Sequence, residues 1–328
     1  MNSRSTLLAV LLILAVAAPL LAAPPTYPCH RPAVAPVIDG EVAGDPAWQT
    51  IPSVTGFSVL GNGYTYAKQT AVQICWTEAG LGLAVTCEEP DAKLLKPQSF
   101  DGGDTWAEDS IEVFIQPGRS ADTYQFAITA GGAKGGFEGH PDITKMKAAA
   151  KIGVDSYCIE TLIPWSVVRA TPKAGDKWFG DICRNIFTTK SGGDKFTCWA
   201  PLQSRFFEPE NFATLVFADS VLTDAKAVQL TEQLNQDYRG TLMGQVAEAV
   251  KAFGSYREGL AAAAQDAKYC ERAQALLANW QRFETINREA DKAGILEMRE
   301  ALMKLEALNR QSYEVKYNFL IYKLLQEN

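Results

Sequence analysis

The feature that most constrains this chain is a change of character near Asp219. All 16 prolines lie before it, and none follows in the rest of the 328 residues. Proline removes a backbone donor and clashes inside a helix, so a long proline-free run rich in Ala, Leu, Glu, Gln and Lys is free to be helical. Upstream, short apolar runs alternate with Gly, Pro and Asp turns, the pattern of many short strands. The chain is therefore expected to be mainly β at first, an antiparallel β-sandwich over residues 37–218. A separate all-α bundle or hairpin follows over residues 219–328.

Two segments precede the sandwich. Residues 1–23 carry Arg4, an apolar run from Leu7 to Leu21 and the small pair Ala22-Ala23, the pattern of a secretory signal peptide. The run is shorter than the ~20 residues a spanning helix needs. A secreted or periplasmic chain with no membrane span is expected. Residues 24–36 are Pro-rich and read as an extended linker. A net charge of −7 argues against nucleic acid as a partner, since phosphate binding needs a basic surface. All seven cysteines lie beyond the leader. In an oxidising compartment Cys158 and Cys183, both in apolar strand-like runs, are the first choice for a disulfide, with buried free thiols as the alternative.

The sandwich is expected to build around Trp106-Ala-Glu-Asp-Ser-Ile-Glu-Val-Phe-Ile115. Ile111, Val113 and Ile115 alternate with Glu112, Phe114 and Gln116, the period of a strand with two different faces. Val37 to Gly40 reads as a short strand before a helical turn at Trp48. Thr70–Trp76 and Leu81–Cys87 read as a hairpin. Further strands are expected at 123–129, 148–153, 157–163, 178–188, 196–200 and 214–217. Trp48, Trp76, Trp165 and Trp178 are assigned to packing. Downstream, Leu230, Leu234, Tyr238, Leu242, Val246, Val250 and Phe253 form one helical ladder. Leu276, Leu277, Trp280, Phe283 and Ile286 form a second, and Leu305, Leu308, Ser312, Val315, Phe319 and Tyr322 a third. Such stripes are core positions, and they are candidate surfaces for a homo-oligomer.

The only histidines are His30 and His140. A His-rich zinc site and a Ser-His-Asp arrangement are thereby excluded. There is no G-x-S-x-G, P-loop or CxxC. Paired carboxylates remain as a catalytic route, with Glu108, Asp109, Glu112 and Glu160 as candidates, although acids at strand starts more often cap turns or pair with Arg. Asp101, Asp104, Glu108 and Asp109 offer hard oxygen ligands for calcium. Trp106, Trp199, Phe206, Phe207, Tyr64 and Tyr66 fall in or beside predicted loops. Sugar rings expose apolar C–H faces, so a few such aromatics beside amides and carboxylates suit a carbohydrate.

Several segments together resemble the family 9 carbohydrate-binding modules. They are Val37-Ile-Asp-Gly-Glu-Val-Ala-Gly-Asp-Pro-Ala-Trp48, Ala71–Trp76 with Leu81–Val85, Trp106–Ile115, Tyr157-Cys-Ile-Glu-Thr-Leu-Ile-Pro-Trp165, Trp199-Ala-Pro201 and Pro209–Phe217. The resemblance covers residues 34–218 and leaves the helical region unmatched. It implies a sandwich of the dopamine-monooxygenase-N-terminal-like group and a non-catalytic module that binds sugar or polysaccharide. By position it implies Trp199 as the stacking residue, with Trp106 and Glu112 beside the same cleft and Arg184 and Asn185 on a strand facing it. Phe206 and Phe207 belong to the neighbouring loop. Calcium occurs in some members, which again points to the acidic cluster. The helical tail would serve assembly or spacing. Three other readings compete: a haem-binding sandwich using His140 and Met146, a glycosidase, and a cell-surface scaffold.

Overall fold

The computed structural model describes residues 24–61, 63, 68–188 and 195–326. The expected leader at 1–23, Tyr64, Tyr66 and the Ile286 side chain lie outside the described residues. Two sheets share a strand. β1 (Thr26–Arg31) pairs in parallel both with β13 (Ala213–Val221) and with β4 (Thr70–Trp76). Beyond β13 the first sheet continues through β11 (Lys177–Asn185), β6 (Ser110–Gln116), β7 (Tyr124–Thr129) and β8 (Lys134–Gly136). Beyond β4 the second sheet continues through β5 (Gly80–Glu88), β10 (Ser156–Pro164) and β9 (Lys147–Ile152). Short strands complete the rims: β2 (Ser53–Val54) on β4, and β12 (Phe196–Cys198) between β11 and β3 (Ser58–Val59).

The core lies between the sheets. Ile111, Val113 and Ile115 of β6 meet Val72, Ile74, Leu83, Val85 and Ile159 of the opposite sheet. The alternation expected of β6 is present, but its second face is covered too. Phe114 packs against Phe207 and Phe212 of the 206–212 segment, so every residue of β6 is buried. Trp48, Trp76, Trp165 and Trp178 are all buried, and the last two meet edge-on at 5.7 Å.

Several expectations need correction. Residues 24–36 are extended, but β1 is built into the sandwich and buries Tyr27 and Cys29 completely. Val37 to Gly40 forms no strand. It is held instead by Glu160, whose carboxylate accepts from Asp39 N (3.0 Å), Gly40 N (2.7 Å) and Trp48 Nε1 (2.6 Å). Gly40 adopts φ +87°, and a Cβ there would stand 2.8 Å from the Ala150 carbonyl carbon, so only glycine fits. Cys158 and Cys183 do not pair. Cys158 is on β10 beside Thr86, whereas Cys183 is in the other sheet on its outward face. All seven cysteines are free thiols.

The helical region holds more helices than three. After α1 (Pro46–Gln49) in the sandwich come α2 (Asp224–Leu234), α3 (Gln236–Gly254), α4 (Arg257–Ala263), α5 (Cys270–Arg288) and α6 (Ile295–Gln326). Thr223 caps α2 by accepting from Lys226 N. The first ladder is interrupted at Asn235, between α2 and α3. Val246, Val250, Phe253, Trp280, Leu305, Val315 and Phe319 form the bundle core, with Trp280 stacked on Phe253 at 5.1 Å. Arg299 of α6 clamps this bundle to the sandwich through both oxygens of Glu88.

Candidate functional site

The outward face of the first sheet carries a polar triad. Glu112 is central on β6. Gln125 on β7 and Asn185 on β11 stand diagonally across from it, a spacing that long side chains span. Asn185 Nδ2 donates to Glu112 Oε1 at 2.8 Å and Gln125 Nε2 donates to Oε2 at 2.7 Å. Asn185 Nδ2 also reaches Ser110 Oγ at 3.1 Å. Burial pushes the Glu112 carboxyl above its ordinary value, and the two amide donors oppose that shift only in part.

Apolar walls rise around the triad. Leu60, Trp106, Phe137, Phe196 and Phe206 join Glu112, Gln125 and Asn185 around a cleft of about 440 Å³. Trp106 sits on a 3₁₀ turn, Thr105–Ala107, and is 50% exposed. Phe196 and Phe206 meet edge-on at 5.9 Å. A half-exposed indole beside amides and a carboxylate can stack on an apolar ring face while the polar groups take hydroxyls.

Two buried acids hold the walls. Asp181, on the same face of β11, accepts from Ile182 N (2.8 Å) and Ala200 N (2.9 Å), which fixes the start of the 199–212 segment. Burial pushes its carboxyl up to about 8. Glu208 gathers Gln203 N, Ser204 N, Ser204 Oγ and Asn211 Nδ2 at 2.7–3.0 Å. Burial raises its carboxyl, but these donors outweigh it and hold the group at about 2. The loop that presents Phe206 is therefore built around Glu208.

The predicted site residues divide. Trp106, Glu112, Asn185 and Phe206 converge on the cleft. Phe207 packs against Phe114 and is not among the residues lining the cleft. Trp199 is half-buried, edge-on to Tyr27 at 6.2 Å, and is not among the residues lining the cleft. Arg184 is a correction. Neighbours on a strand point to opposite faces, so Arg184 turns inward where Asn185 turns out. Its side chain is fully buried, with Nη2 on Glu88 O (2.9 Å) and Glu89 Oε2 (3.3 Å), and has no surface to give a ligand. Leu60, Gln125, Phe137 and Phe196 were not expected. Gln125 had a signal: it is the polar residue between Tyr124 and Phe126 on a strand whose other face is core.

The acidic quartet does not gather. Asp101 pairs with Lys134 Nζ at 2.6 Å, and that bond holds its carboxyl below the usual range. Glu108 accepts from Gln98 N (2.8 Å) and Ser99 N (3.3 Å). Asp109 is buried and accepts from Phe187 N at 3.0 Å. Asp104 precedes the turn that carries Trp106, accepting from Ala107 N through its backbone carbonyl. Among the described residues no group of three or more His, Cys, Asp or Glu could hold a metal. The other readings separate similarly. Glu160 lies in the second sheet, bound to Trp48 and peptide N–H groups. Met146 is buried between the sheets while His140 is exposed.

Fold and cleft together define a β-sandwich with an aromatic-walled cleft on one face. The family described as Carbohydrate family 9 binding domain-like matches residues 38–219, and the chain belongs to that family. Endo-1,4-beta-xylanase A of Thermotoga neapolitana is 24% identical over 143 residues, which are 42% of this chain and 13% of that protein. The Thermotoga maritima protein of the same name is 26% identical over 144 residues, again 42% of this chain and 13% of its own length. The chain thus spans a small part of these relatives. A Bacteroides uniformis protein described as carbohydrate-binding aligns with TM-score 0.49 and 18% identity, over 60% of this chain and all of that one. A family 9 carbohydrate-binding module of Caldicellulosiruptor kristjanssonii in complex with cellotriose aligns with TM-score 0.44 and 16% identity, over 58% of this chain and 94% of that one. No helix among the described residues is long and apolar enough to cross a membrane.

Proposed function

We propose that this chain is an exported, non-catalytic carbohydrate-binding protein whose sugar stacks on Trp106 and is hydrogen-bonded by Glu112, Gln125 and Asn185. One observation carries the reading: a half-exposed indole lines the same aromatic cleft as a carboxylate already aligned by two amides. The charge of the cleft suits a neutral sugar, because among the described residues that line it the one charged group is an acid, and Arg184 faces away. Export rests on the leader at 1–23.

The assignment of Trp106 is tested by calorimetry on Trp106→Ala and Trp199→Ala, using cellotriose, xylotriose and glucose as probes. Truncating a central Trp in a contact patch costs about 2 kcal/mol or more, roughly thirtyfold in affinity. Trp106→Ala should show that loss with little change in thermal midpoint, because half of its surface is already in water. Trp199→Ala should lower the midpoint and leave affinity nearly unchanged. Parent-like binding by Trp106→Ala would remove the site.

Self-association through α6 belongs to the same reading. Tyr313, Tyr317, Leu320, Ile321 and Leu325 are 41–74% exposed along its outer side. Two such stripes packed together approach the low end of what a stable dimer buries, about 1,200 Å² in total. Sedimentation equilibrium should give a dimer for the parent and a monomer for Leu320→Glu with Leu325→Glu. A parent that is monomeric at tens of micromolar rules the dimer out.

A further inference from the structure

Sugar stacking as described needs only the sandwich, yet the structure ties the helical region to one wall of the cleft. The link is the segment 53–61. At its start, Ser53 N donates to Thr231 Oγ1 of α2 at 3.0 Å. Asn235, where α2 gives way to α3, accepts from Thr55 N through Oδ1 (2.9 Å) and donates to Ser53 O through Nδ2 (2.9 Å). Gly56 follows with φ +92°, its Cα pressed to the Tyr238 ring so closely that a Cβ would stand 2.9 Å from it. Gly56 N and Phe57 N then donate to Gln69 Oε1 at 3.0 and 2.9 Å.

The far end of this segment is the cleft. β3 pairs with β12, Val59 opposite Thr197 and Ser58 opposite Cys198. Leu60 N donates to Phe196 O at 2.9 Å and Gly61 N to Leu202 O at 3.2 Å. Leu60 and Phe196 are both cleft walls. Six residues of chain thus run from a clasp on the helical region to the position of two walls.

The helix itself is shaped for the clasp. The ladder Leu230, Leu234, Tyr238, Leu242 would run through without a break, but the helix is interrupted at Asn235. That residue is 4% exposed, and both ends of its amide are occupied by the backbone of the sandwich segment. A buried amide so placed gives direction as well as contact, because each of its hydrogen bonds fixes a separate backbone atom.

We infer that Asn235 is a positioning residue for the sugar site and that the helical region braces the Leu60–Phe196 wall rather than serving only as a spacer. The inference rests on the sugar-binding reading for its functional consequence, not for the mechanical link. The test uses the full chain. Asn235→Ala is compared with Asn309→Ala, which removes an amide bond to Ala249 O inside the helical bundle and leaves the clasp intact. Two readouts are taken at a temperature well below the thermal midpoint: sugar affinity by calorimetry, and amide hydrogen exchange at Leu60 and Gly61.

Asn235→Ala should weaken binding about tenfold and speed exchange at Leu60 and Gly61 at least tenfold. Asn309→Ala should lower the midpoint and change neither. Asn235→Asp, which keeps the acceptor for Thr55 N but loses the donor to Ser53 O, should fall between parent and Asn235→Ala. Faster Leu60 exchange in Asn235→Ala, in a parent that binds none of the sugars tried, would support the brace and count against the sugar reading instead. Unchanged affinity and unchanged exchange in Asn235→Ala would overturn the inference, as would the same response from Asn309→Ala.

Discussion

Arg184 and Asn185 are consecutive on β11, and each meets a carboxylate on its own side of the sheet. Inward, the Arg184 guanidinium lies between Glu89 and the ring of Tyr157, 5.2 Å from the ring centroid. Glu89 is fully buried and also accepts from Lys68 Nζ and Thr188 Oγ1, each at 2.7 Å. Outward, Asn185 and Gln125 hold Glu112 with neutral amides, and a cleft opens over it. The inner carboxylate is neutralised by two cations and closed from water. The outer one meets no cation among the described residues and, with two lone-pair sites on each oxygen, retains capacity to accept. The difference separates a polar cluster that holds the fold from one that can hold a ligand, though both grow from the same pair of adjacent residues.

The largest effect that would break this comparison lies on the inner side. Arg184→Met should cost about 3 kcal/mol, near the low end for removing one partner of a buried ion pair, because Lys68 remains beside Glu89. Urea unfolding would show it as a fall in midpoint at unchanged slope. Sugar affinity of the folded variant should be unchanged. A variant with parent stability and no sugar binding would place Arg184 in the site and invert the assignment of the two faces.

Much of this was readable beforehand, and the misses have definite physical causes. The break near Asp219 and the strand periods at 70–76, 81–87 and 157–163 were legible because local pattern alone determines them. Glu112 and Asn185 were placed beside a cleft by the family resemblance, and both sit on strands whose other face is apolar. Arg184 was misplaced although strand parity forbids it from sharing a face with Asn185; the period of two was sufficient to exclude it. Trp199, expected in the cleft, is not among the residues lining it, for a different reason. Its own sequence context is loop-like, and only the fold reveals its edge-on contact with Tyr27, far away on β1. Phe137, just past β8, and Phe196, at the start of β12, meet only through tertiary pairing, so no local pattern marks them. The acidic quartet failed because closeness in sequence does not set direction: Lys134 and the peptide N–H groups of 98, 99 and 187 draw three of the carboxylates apart.

A smaller effect sharpens the outer side. Because burial raises the Glu112 carboxyl, the folded chain takes up a proton more readily there than the unfolded chain does. Stability from this group is therefore complete below the unfolded value near 4.5 and falls as pH rises through the raised folded value. Sugar binding runs the other way over the same window, since an ionised carboxylate is the stronger acceptor for a hydroxyl. Glu112→Gln removes both slopes. The variant can keep its hydrogen bonds, because Gln125 can rotate its amide to present oxygen to the new NH₂ group. It should fold with near-parent stability at pH 7 and lose about tenfold in affinity, the share of a charge-assisted bond replaced by a neutral one. Calorimetric titrations from pH 4.5 to 7.5 on parent and variant decide it. If the variant keeps the parent's rise in affinity with pH, the titrating group is not Glu112, and the cleft works through its aromatic walls and amides alone.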